Sequence, residues 1–458
     1  MKRICLLALV LCSSIATNAR GAEDHAVPIG AAKVDITPEF PIRLNGYGNR
    51  SEPATEIERR IFARALAIGD DTRLAVLVTV ETLGVPWSMT EEVAARLAAK
   101  VGLPRERLAI CATHTHCAPC VAGITPLIFG VELPLEEQAA IANYTLFLTD
   151  RIEEVALAAI ARRAAGTLAW SRGEVKFASN RRVVENGRWT GFGVSPNAPV
   201  DHSLPVLVAR DVTGKPLAIL VSYACHCTTL GGDFNRVCGD WAGYASEIVE
   251  REHPGAVALV AIGCGADANP NPRGELDMAV THGASVAAEI DRMLPLDAQT
   301  LGPPSLCQLE RVEIPFDRPP TRADLEARGG DHRSQSIHAR ANLARLERGE
   351  ALPETLAYAI QTWSFDDDLV MVFLAGEVVV DYAIRLRHEL DPERLWVCAY
   401  ANDDPCYIAS KRVLAEGGYE VLNSMWLYDQ PTQLVPAAED AIIAAVRRLT
   451  PANFQTSR

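Results

Sequence analysis

Four apolar segments of this chain run directly into clusters of polar side chains. "ERLAICATHTH" ends on His114 and His116, "LAILVSYACHC" on His226, "AVALVAIG" on the loop 263–272, and "RLWVCAY" on the polar stretch 401–407. A fifth segment, "LVMVFLAGE", ends at Gly376 and Glu377 just before a helical pattern. Short apolar runs bounded by turn residues read as buried strands. In open α/β sheets the loops beyond the carboxyl ends of strands converge and form the ligand site. The recurrence therefore predicts a fold that brings these distant polar clusters to one edge.

Between these strands the period changes. "SMTEEVAARLAAKVG" has a polar start, an apolar helical stripe and a glycine stop. Helical patterns also cover 135–165, "DWAGYASEIVEREHPG" and "DMAVTHGASVAAEIDRML", while "LPVLVARDVTGKPLAILVSY" reads as a hairpin turning at Thr213, Gly214 and Lys215. Hairpins interspersed among strand–helix units predict an α/β fold with mixed β-sheets flanked by helices.

The chain opens "MKRICLLALVLCSSIATNARGAED", with Lys2 and Arg3 before a short apolar run and small residues near position 21. That is the pattern of a secretory signal peptide over residues 1–21, and it predicts export to the periplasm or medium. No later run reaches the roughly 20 apolar residues of a transmembrane span. The formal net charge of −14 without a basic stripe argues against a nucleic-acid partner. Residues 22–458 show no linker composition, so one large domain is expected.

Histidines two apart at a strand end point the same way if the backbone is extended. With His226 and Glu377 they could supply the N and O donors of a catalytic zinc, which takes three or four protein ligands and keeps a position for water. By pattern alone, an ordinary polar loop and a glutamate facing a helix dipole are the commoner explanations.

A resemblance to a known family narrows the choice. "AAKVDITPEFPIRLNGYG", "ATHTHCAP", "SNRR", "PVDHSLPVLVARD", "YACHCTTL" with "GDWAGYAS", "AGEVVVDYAIRLR" and "YANDDPCYIASKRVLAEGGYE" occur in this order. Together they resemble the catalytic domain of the neutral/alkaline, non-lysosomal ceramidases. The resemblance implies a Zn²⁺ cofactor held by His114, His226, Glu377 and Tyr407. It also implies His116 as the proton-handling residue, Arg181 facing the substrate and Tyr419 stabilising the oxyanion. The implied reaction is hydrolysis of an amide (N-acyl) bond by zinc-activated water, on a small-molecule or lipid amide, with a ceramide-like lipid as one candidate.

The chain departs from that family pattern in two places. Where ceramidases carry Gly-Asp-x-Ser-Pro, this sequence reads "GADANP", so Asn269 is expected as a substrate contact that cannot act as a nucleophile. The sequence given also has no counterpart of the C-terminal immunoglobulin-like domain, which puts ceramide itself in question. A non-catalytic metal- or lipid-binding relative is the competing reading.

Ten cysteines follow the signal segment, and nine lie in or beside the site segments. An even count in an exported chain predicts disulfides bracing the site. Free thiols supplementing zinc and a redox pair at Cys117 and Cys120 are the alternatives.

Overall fold

The computed structural model describes residues 26–296, 298–328 and 333–456. The expected signal segment, residues 1–21, lies outside the described residues.

Two mixed sheets form the centre. The larger has nine strands: β1 (Val27–Asp35), β2 (Phe62–Ile68), β3 (Ala75–Val80), β4 (Leu108–Ala112), β5 (Ala164–Glu174), β6 (Ser203–Asp211), β7 (Pro216–Tyr223), β8 (Val257–Ile262) and β9 (Gln299–Leu301). Their spatial order is β8-β7-β6-β5-β1-β2-β3-β4, with β9 paired to β5. The smaller sheet follows chain order: β10 (Leu306–Pro315), β11 (Thr355–Phe365), β12 (Leu369–Leu374) and β13 (Leu395–Cys398).

Side-chain alternation along each strand explains how the sheets stack. Leu66, Leu77, Cys111, Trp170, Leu207, Leu220 and Leu259 of the large sheet share one buried core with Trp363, Phe365, Met371, Phe373 and Trp396 of the small one. Their alternates face helices. Val76, Val78 and Ile110 pack against α1 (Trp87–Val101) and α2 (Leu135–Ala161). Val221 and Val260 pack against α3 (Asp240–Glu252) and α4 (Leu276–Met293), and Val370 and Val372 join the same core as α5 (Val380–Glu389) and α6 (Ala437–Leu449). Helices thus cover the outer faces of two sheets packed on each other.

Three parallel pairs set the working end: β3 with β4, β7 with β8, and β12 with β13. Their carboxyl ends meet because backbone hydrogen bonds join the sheets there. Ala112 donates to the Tyr400 carbonyl at 3.0 Å, Asn402 to Ile110 at 2.7 Å, and Ala399 to Ile262 at 2.8 Å. The expected convergence of strand ends is met.

Some boundaries differ from expectation. The helix expected over 135–165 stops at Ala161, because residues from Ala164 pair in β5. β4 ends at Ala112, so the two histidines are not on an extended strand; His114 is left-handed, with φ 57°. Among the described residues no helix is long and apolar enough to cross a membrane.

The disulfide expectation fails. All ten cysteines from Cys111 to Cys406 are free and buried. Cys111 and Cys398 fill the layer between the sheets, while Cys225, Cys227, Cys264 and Cys406 sit in the core beside the helices. Burial pushes the thiols up, that of Cys120 to about 12. They serve as small hydrophobes.

One ionic cluster fixes α3 to the large sheet. Glu81, just past β3, is 1% exposed and bonds Arg59 at 2.6 Å and Arg64 at 2.5 Å. Those arginines reach on to Glu247 at 2.8 Å and Glu250 at 2.9 Å, both on α3. Removing the shared carboxylate strands two buried cations. Glu81→Leu should lower the unfolding free energy by about 3–5 kcal/mol in a denaturant titration. A loss below about 1 kcal/mol would show that Glu247 and Glu250 neutralise both arginines unaided.

Candidate metal centre

The residues after the converging strands supply the donors. His114 and His116 follow β4, His226 follows β7, and Glu377 follows β12. Glu377 and Tyr407 are register partners in a short parallel pair, which sets their side chains together. Gly376 makes the sharp entry, with φ 73° and a position at which a Cβ would lie 2.6 Å from the Cys406 carbonyl oxygen.

The donor atoms converge. Glu377 Oε2 lies 3.2 Å from His114 Nε2 and 3.0 Å from His226 Nε2, and the Tyr407 hydroxyl lies 3.3 Å from His226 Nε2. A tetrahedral zinc with bonds of roughly 2.0–2.1 Å has ligand–ligand edges of about 3.3–3.4 Å. The three contacts match such edges, so the four residues fit a small cation of this kind. All four are buried, none more than 3% exposed.

His116 belongs to the same cluster, since its ring nitrogens and those of His114 and His226 include donors all within 4.8 Å of one another. Among the described residues no cysteine joins it. Hydrogen bonding separates the three imidazoles. His114 Nδ1 bonds the Leu83 carbonyl at 2.8 Å and His226 Nδ1 bonds the Gly265 carbonyl at 2.9 Å. Each carbonyl fixes the proton on Nδ1 and leaves the Nε2 lone pair for a metal, the usual arrangement of a ligating histidine. Nδ1 of His116 is buried without a partner, and the ring lines a cavity. Its Nε2 approaches His114 Nε2 at 3.2 Å.

Electrostatics keep the centre in a donor state. Burial, with Arg181 adding, pushes His226 down to about 3. Burial, then His114 and His226, pushes His116 well below its ordinary value. Burial works to raise Glu377, but His114 and His226 hold its carboxyl well below the usual carboxylate range.

Arg181 is buried beside the donors. Its Nε bonds Glu420 at 3.0 Å, Nη2 donates to the Tyr407 hydroxyl at 3.0 Å, and Nη1 reaches Asn269 Oδ1 at 3.4 Å. Asn269 Oδ1 also accepts from Thr228 at 3.2 Å, so its amide nitrogen is the group left for the cavity. The ring of Tyr419 stands 5.5 Å from that of Tyr407 and 5.2 Å from that of Phe192. Every residue named from the sequence therefore meets at this centre, around a cavity of about 480 Å³ that His116, Arg181, Asn269, Tyr407 and Tyr419 help to line.

A family model described as neutral/alkaline non-lysosomal ceramidase, N-terminal, matches residues 28–276. The chain belongs to the neutral/alkaline non-lysosomal ceramidase family. Neutral ceramidase of Drosophila pseudoobscura pseudoobscura is 26% identical over 296 residues, which is 60% of this chain and 40% of that protein. Neutral ceramidase B of Dictyostelium discoideum is 25% identical over 279 residues, 56% of this chain and 37% of that protein. The chain thus matches well under half the length of these curated relatives. The crystal structure of neutral ceramidase from Pseudomonas aeruginosa superposes with a TM-score of 0.69 at 18% identity, covering 95% of this chain and 76% of that one. At that identity the likeness shows the fold.

Residues that sequence reasoning did not single out complete the centre. Tyr428 donates to Glu377 Oε1 at 2.5 Å, and Glu420 joins Arg181 to Arg182. Glu420 is adjacent to Tyr419 and closes the family segment "YANDDPCYIASKRVLAEGGYE", which are the signals that could have found it. Tyr428 lies in an unpatterned stretch and gave none.

Gly46 sets the position of His116. Its φ is +90°, and a Cβ there would fall 2.4 Å from His116 Cγ and Nδ1. Gly46→Ala should displace the imidazole from its 3.2 Å contact with His114 and cost about 1–3 kcal/mol of stability. A crystal structure and a melting curve of the variant read both; an unmoved ring would refute this packing.

Proposed function

We propose that this protein is an exported zinc-dependent hydrolase that cleaves an N-acyl amide bond. The observation that carries the reading is the donor set of His114, His226, Glu377 and Tyr407, closed to within 3.3 Å contacts beside a cavity. Membership of the ceramidase family supports the amide substrate, and the sequence pattern at residues 1–21 supports export.

Two nitrogens, one carboxylate oxygen and one phenol oxygen suit zinc, a borderline-soft ion that accepts mixed donors. When bound, zinc supplies a Lewis acid and lowers the pKa of a coordinated water to about 7. The protein's own groups do the rest. Arg181 is held by Glu420 and in turn orients the Tyr407 hydroxyl and Asn269. Tyr419 is the donor aimed at the carbonyl oxygen as it gains charge. His116 carries the proton for the departing amine from Nε2, the nitrogen that faces the centre. Asn269 hydrogen-bonds substrate and leaves no nucleophile at that position, so acyl transfer to residue 269 has no route. Tyr428 aligns Glu377 by holding its other oxygen.

The cavity size falls in the usual range for small-molecule sites, and Ile128, Phe192, Trp426 and Leu427 give it apolar walls suited to an acyl chain. A ceramide-like lipid is one member of the class that this lining admits.

The purified protein should contain about one zinc per chain. His226→Ala should lose nearly all of it. His116→Ala should keep its zinc while turnover of an N-acyl substrate falls by roughly 10²–10⁴, with a smaller loss for an activated ester whose leaving group needs no proton. Loss of metal in His116→Ala but not in His114→Ala would exchange the two roles. Full zinc with no hydrolysis of any N-acyl substrate would favour the metal-binding relative instead.

Tyr428→Phe removes only one hydroxyl from the carboxylate's far side. Zinc affinity should fall about 10–100-fold, measured by competition with a chelator. An unchanged affinity would mean that Glu377 is oriented by the two histidines alone.

A further inference from the structure

The cavity at the candidate centre is lined by three arginines, Arg181, Arg273 and Arg333, and by no carboxylate. That is unexpected in a chain of net charge −14. Arg181 is neutralised by Glu420 at 3.0 Å. Arg273 and Arg333 have no ion pair among the described residues, where most other arginines of the chain do.

Arg273 is exposed, yet it is tethered. Its Nη2 donates to the Tyr47 hydroxyl at 3.0 Å, and Tyr47 donates in turn to the Leu230 carbonyl at 2.8 Å. The Tyr47 ring packs on that of His116, with centroids 4.8 Å apart. The guanidinium is therefore fixed one side chain beyond His116, and its remaining N–H groups have no hydrogen-bond partner among the described residues. A neutral substrate needs no such group. A solvated surface arginine would not be anchored on an aromatic ring that touches the proton-handling histidine.

We propose that Arg273, with Arg333 on the same cavity, recognises an anionic group on the amine-derived half of the substrate. This rests on the amide-hydrolase reading: if His116 delivers a proton to the leaving amine, the leaving group lies on His116's side, and Arg273 stands beyond it. The substrate class is an N-acyl amine bearing a carboxylate, sulfonate or phosphate. Arginine suits each of these, since its planar fork pairs with two anionic oxygens at once.

The test compares substrates of one acyl chain and different head groups: N-lauroylglycine, N-lauroyltaurine and neutral N-lauroylethanolamine, with the zinc-loaded protein. The unaltered protein should favour the anionic amides in kcat/KM by about tenfold to a hundredfold, the size of one charge-assisted contact. Arg273→Gln should collapse that ratio towards one, chiefly through KM for the anionic amides, and Arg273→Lys should restore part of it. Whether glycine or taurine leads distinguishes a carboxylate site from a sulfonate site. A preference for the ethanolamide, or an unchanged ratio in Arg273→Gln, would overturn the proposal. If none of the three is cleaved, these amides are not substrates of the hydrolase proposed above. Calorimetric binding of the same compounds then decides the anion-recognition proposal, with tighter binding of the anionic amides supporting it and equal binding refuting it.

Discussion

A carboxylate buried beside two imidazoles, a phenol and a guanidinium is costly unless nearly every lone pair and proton finds a partner. Glu377 meets that demand with both oxygens: Oε1 accepts from Tyr428, and Oε2 faces His114 and His226. The imidazoles meet it through the carbonyls of Leu83 and Gly265. Arg181 meets it through Glu420, a second buried carboxylate whose other oxygen holds Arg182. What the chain leaves unanswered lies close by: Nδ1 of His116, the hydroxyl of Tyr400 and Oδ1 of Asp404 are buried without partners.

Such a cluster needs a rigid frame, and the stacked sheets provide one. Large aromatic and aliphatic side chains fill the layer between them, and three backbone hydrogen bonds tie their carboxyl ends across that layer. The tie has a local cost in backbone conformation. His114, Tyr400 and Asn402 all take positive φ, which non-glycine residues adopt only where the surroundings enforce it. Strain of this kind gathers where the donor atoms must be aimed.

The strands and principal helices were legible because each carries a long apolar period. β4, β7, β8, β12 and β13 all lie inside segments that read as strands, and α1 ends at Val101, capped by Gly102 where the glycine stop placed it. The cysteines misled for a physical reason. An even count in an exported chain raises the odds of disulfides, but it carries no information on which thiols face each other; here all ten are core filling. Histidine spacing misled in detail as well. His114 and His116 do converge, but through a left-handed turn rather than along an extended strand.

Periodicity and strand-end chemistry are local, so the sequence by itself determined the mixed α/β class, the placement of polar clusters beyond apolar strands, and the residues able to donate to a metal. The family resemblance selected His114, His226, Glu377 and Tyr407 from among them. Only the tertiary structure decided which carbonyls fix the imidazoles, that Glu420 and Tyr428 support the centre, and that Arg273 reaches it through Tyr47. Apart from Glu420, which sits on a short π-helix at 419–423, those partners lie on loops with no period to read, and each pairs with a residue distant along the chain. Their roles come from closure of the two sheets, and no short stretch of sequence encodes that.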